Sequence, residues 1–249
     1  MIRGFILLCL VITLQVNAQS EMKTKQAFLF HPHYAHQIPG GDLKKRFNPF
    51  SSIGMGVDFK FKNNWMVGLD YDWFFGNSVI DNGLFSGISG PSGQIIDKNG
   101  DFSVMQLNMK GNYVTLNASY LINIPKNEAF SGIIISGGLG VMQHKVDILS
   151  AQTTIPQVNS EYEKGYDKLT YGLAIKEFIG YQYSVSKNRY RFRGGIEFNQ
   201  GFTKGRRTWD FNANKSGLDK RFDTTVAMKI GFIVPVYTKN SEDEEFFLD

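Results

Sequence analysis

Residues 65–75 read Trp65-Met66-Val67-Gly68-Leu69-Asp70-Tyr71-Asp72-Trp73-Phe74-Phe75. Every odd position is apolar or aromatic, while the even positions include Gly68, Asp70 and Asp72. A period of two sends successive side chains to opposite faces, so this segment reads as a strand with one greasy and one polar side. The same period recurs upstream, where Ile53, Met55, Val57, Phe59 and Phe61 alternate with Gly54, Gly56, Asp58 and Lys60. Downstream, Val114 to Ile122, Tyr190 to Phe198 and Phe222 to Val234 repeat it, and residues 26–37, 132–146 and 167–185 carry it less tidily. The total is eight strands, with ten as the alternative count.

The connections alternate in length. Residues 38–49, 77–102, 147–166 and 204–220 are long, whereas 62–64, 124–131 and 186–188 are short. An antiparallel meander with all its long loops at one end produces this order, and membrane barrels of bacteria are built that way. Asn99-Gly100 is a hairpin signal inside the second long loop, so the third and fourth strands are expected to continue past the barrel as a ribbon. The fold class expected is all-β: an eight-stranded antiparallel up-and-down transmembrane β-barrel.

Alternation does not say which face is inside, and a soluble lipocalin-like barrel would alternate with its apolar face inward. Three features favour the inverted arrangement. The polar face is rich in Gly, Asn, Ser and Thr with a few opposed charges, as a narrow filled lumen requires. Trp65 and Phe75 stand ten residues apart on one face, about 23 Å along a tilted barrel, which matches an apolar band between two aromatic girdles. The last strand ends Lys229-Ile230-Gly231-Phe232-Ile233-Val234-Pro235-Val236, similar to the assembly signal of outer-membrane barrels.

The amino terminus and composition agree. Arg3, the apolar run Phe5–Leu14 and Val16-Asn17-Ala18 make residues 1–18 an expected signal peptide, too short in its apolar part to span a bilayer. The single cysteine, Cys9, lies inside it, which removes disulfides, thiolate metal sites and cysteine nucleophiles from the expected mature chain. The expected division is then a barrel over 19–237 and an acidic periplasmic tail over 238–249. A mean hydropathy of −0.22 excludes a bundle of membrane helices, and a net charge of +4 over 249 residues gives no reason to expect nucleic acid as a partner.

Three residues sit badly in these strands. Pro32 lacks an N–H in a barrel that has no free edge, so a bulge or break is expected there. Pro235 is less awkward near a strand end. Glu177 falls on the apolar phase set by Tyr171, Leu173 and Ile175; a bulge that turns it inward is the preferred reading, and a protein partner in the membrane is the alternative.

The polar phase fills the lumen with Asp58, Lys60, Asp70, Asp72, Arg191, Arg193, Glu197, Asp223 and Lys229. An eight-stranded barrel is just wide enough to be filled by side chains, and buried charges must pair. A salt-bridged plug is the preferred reading, with a gated ion path as the other. The four histidines read first as polar rim or lumen residues: His31 and His33 share a face, but two imidazoles do not make a metal site, and His36 and His144 are those an enzyme at the rim would use, with no nucleophile identifiable beside them. No cofactor, metal or catalytic residue is expected. Ser136-Gly137-Gly138-Leu139-Gly140 lacks the Lys-Ser/Thr of a phosphate loop and reads as close backbone packing or a bulge. Among the loops, Lys44, Lys45 and Arg46 in the first and Arg206, Arg207 and Trp209 in the last are the contact candidates, for lipid A phosphates or a partner protein.

On the strand pattern and the terminal strand, residues 19–237 resemble the small eight-stranded outer-membrane barrels of OmpX and OmpA type found in Bacteroidota, here without a peptidoglycan-binding domain. That resemblance implies the outer membrane as location and its lipid, with lipopolysaccharide, as partner. A looser resemblance to the small barrels of type IX secretion and gliding machinery implies a further envelope protein as partner. The function expected is a non-enzymatic structural or accessory subunit of an envelope complex. A small transport or ion-conducting barrel is the alternative, and a lipid-modifying enzyme the third reading.

Overall fold

Eight runs of alternating side chains form eight long strands in the computed structural model, which describes residues 26–80, 83–90, 94–103, 105–124, 130–150, 155–158, 161–184 and 191–237. The expected signal peptide and acidic tail lie outside these residues. The strands are β1 (Ala27–Gly41), β2 (Phe50–Lys60), β3 (Trp65–Gly76), β4 (Met105–Asn123), β5 (Gly132–Ser150), β6 (Thr170–Ser184), β7 (Arg191–Gly205) and β8 (Lys220–Tyr237). Each pairs antiparallel with its sequence neighbours, and β8 pairs with β1 to close the ring. Closure leaves no unpaired strand edge, which is the condition for strands to stand in lipid.

The register fixes the geometry. From Ala27 the cross-strand partners run Lys60, Met66, Ser119, Ser136, Phe178, Glu197, Ala227 and then Gln37, ten residues further up β1. Eight strands with that stagger tilt by about 40° to the barrel axis. Met66, Phe178, Glu197, Ala227 and Gln37 on this path are all buried, so the inward phase is continuous around the ring.

The outward phase is apolar. Leu69, Leu116, Leu139, Leu173, Ile196, Met228 and Ile230 are all more than half exposed on the outer wall. Aromatic side chains gather at its two ends. Phe28, Phe59, Trp65 and Tyr120 lie toward the short turns, with Trp65 and Tyr120 centroids 5.3 Å apart. Trp73, Phe75, Phe202 and Phe222 lie toward the long loops. Apolar outside and polar inside is the arrangement of a barrel standing in a bilayer, the reverse of a soluble one. No helix among the described residues is long and apolar enough to cross a membrane.

Two expected bulges are absent. β1 runs unbroken through Pro32, which pairs with Met55 on β2. On the β8 side the ladder lapses at His31 and Pro32, then resumes at His33↔Gly231 in the register it had at Phe30↔Val234. The missing N–H is thus absorbed by a local gap, because the two flanking ladders hold the strand in place. Pro235 pairs with Leu29 near the strand end. Around Glu177 the pairs Glu177↔Gly137 and Glu177↔Phe198 belong to two uninterrupted ladders, so its side chain stays on the outer wall and is exposed. The protruding ribbon also differs from expectation. It is β4 and β5 that extend, paired from Met105↔Ser150 to Asn123↔Gly132, while Asn99-Gly100 turns only a short separate pair, Ile95–Ile96 with Phe102–Ser103.

The interior is layered. Toward the long loops, Phe74, Met109, Tyr113, Met142 and Val146 pack with Leu43, Phe47, Leu84 and Tyr166 from the loops. Toward the short turns, Leu29, Met66, Leu121, Phe130, Ile134, Phe178 and Ile233 make a second apolar cluster. The largest group of ion pairs, around Lys176, lies between the two.

Candidate functional site

Asp58 on β2, Asp70 and Asp72 on β3, Lys176 on β6, Arg193 and Glu197 on β7, and Lys229 on β8 converge in the middle of the lumen. Lys176 is the hub. Its ammonium lies 2.7 Å from Asp72, 3.4 Å from Asp70 and 3.7 Å from Glu197, and 4.9 Å from the centre of the Tyr113 ring. Lys229 bridges Glu197 at 3.0 Å and Asp70 at 3.6 Å. Arg193 donates to Asp58 at 2.9 Å and, through its other guanidinium nitrogens, to Gln182. Lys176 and Lys229 each meet more than one carboxylate and Arg193 adds the Gln182 amide to Asp58, and such pairing is what makes ionic groups tolerable away from water.

Four carboxylates face three cations in this set, and two histidines stand beside them. His33 Nδ1 lies 3.0 Å from the His31 carbonyl oxygen and Nε2 lies 2.7 Å from Asp72. Both ring nitrogens thus lie within hydrogen-bonding distance of an oxygen. His31 Nε2 lies 3.2 Å from Asp58 and 3.6 Å from Asp70. Gly56 permits this approach, because a Cβ there would overlap both the His31 ring and the Asp70 carboxylate.

Of the lumen residues expected from sequence, Asp58, Asp70, Asp72, Arg193, Glu197 and Lys229 come together. Asp223 sits apart, toward the long loops, paired with His144 at 2.9 Å and Arg221 at 3.0 Å. Lys60 donates to Asn64, and Arg191 to Ser184 and Tyr237, around the Phe130 ring at the short-turn end. His31, His33 and His144 are buried, as the rim-or-lumen reading of the histidines allows, whereas Lys176 is a lumen residue that the sequence reading did not include. For Lys176 the signal was present: with Tyr171, Leu173 and Ile175 outward, residue 176 must point inward.

His31, Asp58 and Asp70 together place three potential ligand atoms within 4.8 Å of one another. Arg193, Lys176 and Lys229 already neutralise those carboxylates, so the donor set fits an ion-pair network better than a dication. A cavity of about 30 Å³ among these groups has room for a water molecule. In the Ser136–Gly140 segment, Gly138 and Gly140 lie where a Cβ would overlap β4, which matches the close-packing reading.

The long-loop rim is cross-braced. Arg207 forms a bidentate pair with Asp167, with Nε to Oδ1 at 2.8 Å, and this hydrogen-bonded partner raises the Arg207 pKa further. Arg46 donates to the Lys168 carbonyl at 3.1 Å, and Arg206 lies 3.8 Å over the Tyr171 ring. Lys45 reaches Asp42 at 2.6 Å, and with the Phe222 N–H it holds the Asp42 carboxyl below its usual range. Lys44 and Trp209 remain exposed. Arg46, Lys168, Arg207, Trp209 and Arg221 line a second cavity of about 50 Å³. Of the expected contact residues, Arg46 and Arg207 thus brace loops one, three and four, while Lys45 and Arg206 also keep exposed side chains.

No family model matches the chain, and no curated protein matches it. Among solved structures it is similar to Ail, the attachment invasion locus protein of Yersinia pestis, in complex with the heparin analogue sucrose octasulfate, at 13% identity over 84% of this chain and 99% of that one, TM-score 0.44. It is also similar to Neisserial surface protein A, at 11% identity over 83% and 96% of the two chains, TM-score 0.45. The N-terminal β-barrel domain of Pseudomonas aeruginosa OprF is similar at 9% identity over 84% and 98%, TM-score 0.40. The strand order, closure and inside-out polarity make this chain an eight-stranded barrel of the outer-membrane type.

Proposed function

We propose that the chain is a sealed outer-membrane barrel, with its long loops outside, that serves as a structural or accessory subunit of an envelope complex and neither conducts ions nor catalyses a reaction. The lumen carries this reading: an ion-pair network in which Lys176 touches three carboxylates, stacked between two apolar clusters. Rings of fixed, mutually satisfied charge capped by hydrocarbon present a barrier to hydrated ions from either side. The braced loops support a role in contact, since a rigid rim loses less conformational entropy on docking than a floppy one. Lipid is the first partner of the apolar wall, and lipopolysaccharide phosphates are candidates for exposed Lys44 and its neighbours.

Planar-bilayer recording of the purified barrel tests the seal, and steady single-channel conductance would overturn it. The small cavity beside His31 favours one competing reading, a gated path along exchangeable ion pairs; in that case Lys176→Met would raise conductance rather than merely weaken the fold. The subunit role is tested separately by photo-crosslinking from Trp209 in intact cells, where a single defined adduct supports it and only lipid adducts count against it.

A further inference from the structure

Lys204 near the end of β7 and Lys220 at the start of β8 are cross-strand partners, and Tyr171 on β6 pairs with Lys204 from the other side. All three belong to the outward phase, since the alternation sends Thr170, Thr203 and Asp223 inward. Arg206 joins them. Its guanidinium carbon lies 3.8 Å from the centre of the Tyr171 ring, and Nε and Nη2 donate to the Tyr171 carbonyl at 3.4 and 3.2 Å. One step down the same face, Phe202 pairs with Phe222 in the aromatic girdle, ring centroids 5.3 Å apart. The two lysines therefore emerge about 5 Å above the edge of the apolar wall.

Like charges directly opposite each other on a sheet repel. Among the described residues, none of Lys204, Lys220 and Arg206 makes an ion pair with a carboxylate. The acidic groups close by in the chain are taken. Asp219 pairs with Lys215 at 2.9 Å, and Asp42, which accepts the Phe222 N–H, pairs with Lys45 at 2.6 Å. An excess of positive charge is thus left at the level where lipid headgroups lie.

We propose that Lys204, Lys220 and Arg206 bind the phosphate of a lipid in the leaflet at the long-loop end, whose acyl chains lie on Leu173, Phe202 and Phe222. Charge complementarity names the occupant. A phosphate offers several acceptor oxygens to two ammoniums and a planar guanidinium, and its charge relieves the repulsion between Lys204 and Lys220. The wall beneath supplies the second half of the site: Leu173 pairs with Phe202, and all three apolar side chains are exposed. That surface selects a phosphate carried on hydrocarbon over one free in solution. The inference deepens the lipid contact proposed above and rests on the reading that this wall stands in a bilayer.

Urea unfolding in phosphatidylcholine vesicles tests it, with lipid A, lipid A stripped of its phosphates, or inorganic phosphate as the added probe. Lipid A is expected to raise the unfolding midpoint of the unchanged barrel, because a ligand held only by the folded state stabilises that state. The stripped lipid and inorganic phosphate are expected to leave the midpoint where it was. Lys204→Gln combined with Lys220→Gln should remove the rise, and Lys204→Arg combined with Lys220→Arg should keep it. Lys110→Gln, which changes an outward lysine on β4, should keep it as well. An equal rise with the stripped lipid, with inorganic phosphate or in the double glutamine variant would overturn the proposal, and so would loss of the rise in Lys110→Gln. Failure of the unchanged barrel to insert into any of these vesicles would overturn the bilayer reading itself, and the site with it.

Discussion

Lys176 shows what one residue can hold together. It replaces the usual core of a small protein with a cation shared by Asp70, Asp72 and Glu197. Lys176→Met would leave four carboxylates facing only Arg193 and Lys229 as cations within the network, and breaking a buried ionic cluster on one side costs about 3–5 kcal/mol. Urea unfolding in lipid vesicles, followed by tryptophan fluorescence, measures this. Pairing the change with Glu197→Gln should recover about 1 kcal/mol or more, because the two groups share a network and their effects do not add. Equal and additive losses would mean that the distances reflect crowding rather than coupling. Residue-level legibility follows the same line. The alternation assigned Asp70 and Asp72 to the lumen by phase alone, whereas His31 and His33 needed the barrel's closure, since only the fold brings β1 beside Asp58 and Asp72.

At the scale of elements, the strands were legible because each repeats its phase over ten or more residues, and the short turns were legible between them. Pro32 and Glu177 were misread for one reason. A local rule for an isolated strand, that proline or a misplaced charge forces a bulge, was outweighed by two flanking ladders whose register admits no extra residue. Pro32→Ala should therefore change stability by less than about 1 kcal/mol, the regained hydrogen bond to β8 offsetting the added freedom of the unfolded chain. A loss of several kcal/mol in the same urea assay would show that the ring itself is needed at the lipid face. The loops were the least legible, because their contacts lie between segments far apart in sequence. Asp167 of loop three receives Arg207 of loop four, and Ser86 of loop two reaches Asn212. Arg207→Ala should speed amide exchange in residues 161–170 and 206–217 about tenfold while leaving β1–β8 protected, as expected for local opening at a rim. Unchanged exchange would mean that the apolar packing of Tyr166 on Phe211 suffices to hold the cap. Asp42 extends the argument to pH. Its pKa is depressed in the folded state, so its anchoring of loop one is in place above the ordinary carboxylate pKa of about 3.9 and is lost as pH falls through the depressed value.

For the whole molecule, the physical statement is that lipid acts as the outer solvent and the ionic middle acts as the core. Such a chain inserts because its outward wall gains from leaving water while its charges are already paired inside. This predicts a depth dependence that no soluble barrel would show. Leu69, more than half exposed on the outer wall of β3, stands near the middle of the apolar band, while Phe75, on the same strand and the same face, stands at its long-loop rim. Leu69→Arg should cost about 2–4 kcal/mol of folding stability in vesicles and Phe75→Arg about 0–1 kcal/mol, although the rim substitution removes the larger side chain. The comparison isolates the bilayer, since both positions share one ladder and one neighbour strand on each side. If the two substitutions cost the same, or if the rim position costs more, then packing and not lipid governs the wall, and the apolar outer face would have to be covered by protein instead.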